Sequence, residues 1–110
     1  MSLKSLIVLA GIGILMSLSA CQTQQPGERS FKDPKFAGSN NFKSCNYCHA
    51  AGEKLKGATD KSSFVVDGKQ YKRIEDVINQ VMIAEYLGGK PIPDDSQEMK
   101  DLINYMTQFK

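Results

Sequence analysis

The sequence predicts a small, mostly α domain of three to four helices with one short β-hairpin. Three observations lead there. Ile74, Val77, Ile78 and Val81 recur at i, i+3, i+4 and i+7, the spacing of one face of an amphipathic helix. Met99, Leu102, Ile103, Met106 and Phe109 form a second apolar stripe near the end of the chain. Between residues 64 and 71, Asp67-Gly68 sits among β-prone residues, which is a hairpin signal.

The chain has 110 residues, and residues 1–20 read as a secretory signal. Lys4 supplies the positive start. Leu6 to Leu18 is an apolar run too short to span a bilayer, and small Ser19 and Ala20 close it. The competing reading is an uncleaved membrane anchor. Leu18-Ser19-Ala20-Cys21 resembles the lipobox of bacterial lipoproteins, which implies cleavage before Cys21 and acylation of its thiol. Such a Cys carries two or more chains, enough for stable anchoring. It also accounts for the odd member among three cysteines. The processed chain, Cys21–Lys110, is expected in the periplasm, lipid-anchored to a bacterial membrane.

Residues 21–35 are polar, with Pro26, Gly27 and Pro34. They are expected to form a flexible tether with a reach of roughly 20 Å, and the folded domain to run from 36 to 110. Within it, a first short helix is expected over Ser39–Cys48, with Gly38 before it. Residues 49–63 read as loop, followed by the hairpin. The middle helix should start near Lys72 and end before Gly88-Gly89. Lys90 to Pro93 should be extended. The last helix can be capped by Asp95 or Ser96, with Glu98 or Met99 near its N3 position, and its stripe should pack on the first helix. Fourteen basic residues stand against twelve acidic ones, a balance that carries no signal for nucleic-acid binding.

The chemistry sits in Cys45-Asn46-Tyr47-Cys48-His49. This is the spacing of covalent c-type haem attachment. Two thiols three residues apart on a helical turn reach both vinyl groups of one porphyrin, and the next residue, His49, lies against the iron as proximal ligand. Its other ring nitrogen should donate to a backbone carbonyl, which fixes the ring. A thioredoxin-like redox pair would need a βαβ context that the sequence lacks. A structural zinc site takes four ligands as a rule, and this chain offers two cysteines and one histidine here. Haem also suits a domain this small, because it adds buried apolar surface to a limited core. Its two propionates would bring the processed chain to a net charge of about −1.

The stretch from Gly38 to Lys110 resembles a class I c-type cytochrome: a glycine and an aromatic (Gly38, Phe42), the attachment motif, a loop, a second helix, and a last helix bearing Tyr105. A narrower likeness, at Ile78–Met82, Gly89–Pro93, Ser96, Glu98-Met99 and Tyr105, is to haem domains of sulfur-oxidation cytochromes and thiosulfate dehydrogenases. Those domains often carry an iron-ligating Cys where this chain has Val81. The resemblance implies a small cytochrome c fold around one haem and single-electron transfer between redox proteins, such as a membrane oxidase or reductase or a dehydrogenase, with no catalysis of its own. The alternatives are a haem subunit of a sulfur-compound dehydrogenase and a haem-based sensor. The chain has one histidine, so the distal iron ligand is sought among Met82, Met99, Met106 and a lysine. Met82, beside the middle stripe, is the expected ligand and Met99 the runner-up. Lysines 43, 54, 56, 61, 69 and 72 either steer an acidic partner or form an ordinary solvated surface.

Overall fold

The structure, a computed structural model, describes residues 24–110. The expected signal segment and the lipidation site Cys21 lie outside the described residues. Among the described residues, no helix is long and apolar enough to cross a membrane. The fold is predominantly helical with one two-stranded antiparallel sheet, as expected.

The first element, α1 (Pro26–Lys32), falls inside the stretch expected to be a tether. Proline at N1, Glu28 in the first turn and Arg29 and Lys32 in the last all favour a helix there. Glu28 and Lys32 pair at 2.9 Å across one turn. Packing decides the matter, because Phe31 is only 1 % exposed and stacks on the last helix. The folded body therefore begins at Pro26 rather than Phe36. Lys35 and Ser39 then bracket a tight 3₁₀ turn, Phe36–Gly38, which buries Phe36.

The helix expected over Ser39–Cys48 shrinks to a single turn, α2 (Cys45–Cys48). Phe42 takes φ +63°, a conformation that ends any helix through it. The segment is held by distant partners instead. The Asn40 amide donates to the Leu87 carbonyl at 3.2 Å, and the Asn41 side chain donates to the Tyr86 carbonyl. Two further 3₁₀ turns, Ala50–Gly52 and Ala58–Asp60, shape the loop after α2.

The hairpin forms as expected, with β1 (Phe64–Val66) pairing β2 (Lys69–Tyr71) in the register Phe64↔Tyr71. Asp67 and Gly68 both take positive φ, +51° and +80°, as a two-residue turn matched to strand twist requires. The middle helix starts as α3 (Ile74–Asp76) and continues as a π-helix over Val77–Tyr86. Its wider i→i+5 bonding is visible in the Leu87 amide donating to the Met82 carbonyl at 2.9 Å. Asn79, buried, grips the extended stretch that follows. Its side chain donates to the Ile92 carbonyl at 2.8 Å and accepts from the Ile92 amide at 2.9 Å.

The last helix, α4 (Gln97–Met106), is capped by Ser96, whose hydroxyl accepts from the Met99 amide at 3.1 Å. Its stripe packs on α1, not on the helix expected at 39–48. Gly27 lies so close to the Asp101 carbonyl and Tyr105 that a Cβ would overlap them. Phe31, Tyr105 and Phe109 meet with ring centroids 5.2–5.5 Å apart. The glycine and aromatic that meet the last helix are Gly27 and Phe31, four residues apart like Gly38 and Phe42, which do not make this contact. Phe42 is 92 % exposed and contributes nothing to this contact.

Candidate functional site

A largely apolar cavity of about 470 Å³ lies among α1, α2, the hairpin, the π-helix and α4. That volume is in the range of small-molecule and cofactor sites, about 300–1,000 Å³. One wall carries Cys45, Cys48 and His49. The 54–63 loop contributes Lys54, Leu55, Ala58, Lys61 and Ser63, and the hairpin contributes Phe64, Val65 and Val66. Ile74, Val77, Ile78, Met82 and Tyr86 face them from the middle helix, while Phe31, Leu102 and Met106 close the floor. A second hollow, beside Arg73, Asp94 and Lys100, holds none of the motif residues.

The single turn of α2 sets the motif. Cys45 is half-buried and packs against the core, and Cys48, at the other end of the turn, is exposed. Burial pushes the Cys45 thiol up to about 11, since an apolar surrounding penalises the thiolate. The His49 amide donates back to the Cys45 carbonyl at 3.0 Å, which closes the turn. His49 Nδ1 stands 2.8 Å from the Glu53 carbonyl oxygen. A carbonyl only accepts, so Nδ1 carries the proton and donates. Nε2 is left with its lone pair free to bind a metal. The chain turns back sharply to supply that carbonyl, through Ala51 at φ +56°, Gly52 at +75° and Lys54 at +68°.

In the part of the lining that the middle helix contributes, the π-helix decides which side chain is presented. Met82 is half-buried and lines the cavity, whereas Val81 is buried outside the lining. An α-helical wheel through Ile74, Val77 and Ile78 would put Val81 on that face. The wider π turn exchanges Val81 for its neighbour. Met99, the expected runner-up, is 0 % exposed in the core and does not line the cavity, while Met106 does. The six lysines noted in the sequence are all exposed, and of these only Lys54 and Lys61 line the cavity.

Among the described residues, no three His, Cys, Asp or Glu side chains converge on one point that would hold a metal ion. The two thiols and the imidazole are instead spread along a cavity wall. They suit a large group that each touches at a different atom, and the Met82 thioether belongs to the same lining. Sequence reasoning missed the floor. Phe31 lies in the supposed tether, and its signal was the Gly27-to-Phe31 spacing, which repeats that of Gly38 and Phe42. No family model matches the chain, and no curated protein or solved structure matches it significantly.

Proposed function

We propose that this chain is a monohaem c-type cytochrome that carries single electrons between redox proteins. Cys45 and Cys48 hold one haem through thioether bonds, His49 Nε2 ligates its iron, and the Met82 sulfur is the distal ligand. When bound, the haem supplies a one-electron Fe(III)/Fe(II) couple, with a potential raised by a His/Met pair relative to thiolate ligation.

The observation that carries the reading is the commitment of His49 Nδ1 to the Glu53 carbonyl at 2.8 Å, beside two thiols that line one apolar cavity with Met82. The Glu53 carbonyl holds the ring and fixes its tautomer. Apolar Ile74, Val77, Ile78 and Leu102 line the same cavity. The half-buried Cys45 is protonated at neutral pH, as a thiol adding across a vinyl group is at the outset.

The protein acts as a carrier rather than an enzyme, in the periplasm, held to a membrane by acylated Cys21 and serving a membrane oxidase, reductase or dehydrogenase. A thiolate-ligated sulfur-oxidation subunit is disfavoured by Val81, which is apolar and buried outside the cavity lining. An open-iron sensor is disfavoured by Met82 in the same cavity lining as His49. The test is maturation of the full chain with a haem-attachment system. The haem should survive denaturing electrophoresis and resist acid-acetone extraction. Release of haem from the wild type would end the reading.

A further inference from the structure

The charged side chains of the cavity lining are distributed one-sidedly. Among its described lining residues, Lys54 and Lys61 are the only cations apart from His49, and none is a carboxylate. Both lysines belong to the 54–63 loop, with Ser63 beside them, while the walls from the middle helix and α4 are almost wholly apolar. Neither lysine forms an ion pair among the described residues, where the salt bridges are Lys32–Glu28, Arg73–Glu75 and Arg73–Asp94. Lys54 also holds a left-handed backbone, φ +68°, which costs a lysine of order 1 kcal/mol and persists where the surroundings demand it. The other lysines near the motif, Lys43, Lys56, Lys69 and Lys72, lie outside the lining. An apolar cavity with cations on one rim suits a ligand with an apolar body and an anionic edge.

We propose that Lys54 and Lys61 form the anion-binding rim of this cavity and pair with the two propionate carboxylates of the haem. The inference rests on the haem reading above and adds the orientation of the group within the site. Lys54 follows Glu53, so one loop holds the His49 ring and one anionic edge of the same ligand. These are positioning residues. They also set the charge felt at the iron, because a cation beside the site favours the reduced, less positive state.

The experiment uses the matured full-length protein, with Lys54→Gln, Lys61→Gln and the double variant, and Lys43→Gln and Lys72→Gln as controls. Covalent haem is checked first by heme staining after denaturing electrophoresis. Resonance Raman should then show the propionate bending band shifted in the Lys54 and Lys61 variants and unmoved in the controls. The reduction potential should fall more in the double variant than in either single variant, and Lys54→Arg and Lys61→Arg should restore both signals. Should the double variant fail to mature, the single variants and their arginine counterparts decide the question. Unmoved bands with haem retained would overturn the lysine rim and leave the haem reading standing. Absence of covalent haem in the wild type would overturn both.

Discussion

At the scale of the residue, one hydrogen bond decides what His49 can do. With Nδ1 donating to the Glu53 carbonyl, the free nitrogen is Nε2, and the ring has one orientation in which to use it. The thiols beside it differ in environment. Burial pushes the Cys45 thiol up to about 11, so in the chain without haem Cys45 should alkylate slowly at pH 8 and faster as the pH approaches 11. Peptide mapping after iodoacetamide at the two pH values checks this. A fast reaction at pH 8 would show that Cys45 is not sheltered. The two methionines divide by position. With haem held as proposed, Met82→Ala should remove the near-infrared sulfur-to-iron band of the ferric form and let carbon monoxide bind the ferrous form. Met99→Ala should keep the band and destabilise the fold by about 2–5 kcal/mol, the range for emptying a buried methionine site. Loss of the band in Met99→Ala alone would reverse the assignment.

At the scale of the element, the α1–α4 contact depends on a side chain that is absent. Gly27 lets the two helices approach until backbone meets backbone at Asp101. Gly27→Ala cannot be absorbed by a rotamer change, because the obstacle is a main-chain carbonyl. The helices must move apart and loosen the Phe31–Tyr105–Phe109 cluster, whose aromatic pairs contribute about 0.5–1.5 kcal/mol each beyond their burial. The expected loss is about 3 kcal/mol, the upper end for overpacking, read as a lower denaturation midpoint. A midpoint equal to the wild type would mean the helices are not in contact. The π-helix is the second element with a consequence. Its extra residue per hydrogen-bonded ring moves Met82 onto the cavity wall and takes Val81 off it. Such segments concentrate at functional sites for this reason.

At the scale of the whole molecule, α1 changes where the domain begins. A chain shortened to start at Phe36 would lose Phe31, which is both core and cavity floor. It should be less stable than one starting at Gln24 by at least the roughly 3–5 kcal/mol of a buried phenylalanine. Equal melting temperatures for the two would restore the tether. The same boundary shortens the leash to the membrane. Five peptide steps separate Cys21 from Pro26, a span of roughly 17 Å when fully extended. With Cys21 acylated as proposed, the domain works close against the bilayer, and its partners are reached at the membrane surface.

The sequence by itself determined the features written in near neighbours along the chain. The spacing of Cys45, Cys48 and His49, the Asp67-Gly68 turn and the Ser96 cap each involve residues within a few positions, so local geometry settles them. The two apolar stripes located the middle and last helices for the same reason. Only the tertiary structure decided the rest. Gly27 and Gly38 each precede an aromatic by four residues, and the sequence does not distinguish them. What distinguishes them is that one pair meets Asp101 and Tyr105, while the segment between the other two is held through Asn40 and Asn41 to Leu87 and Tyr86 and leaves Phe42 exposed. Likewise, α and π repeats share most of their apolar positions over two or three turns, so the pattern of Ile74, Val77 and Ile78 could not say whether Val81 or Met82 faces the cavity. That choice belongs to packing between residues far apart in sequence, which no local signal encodes.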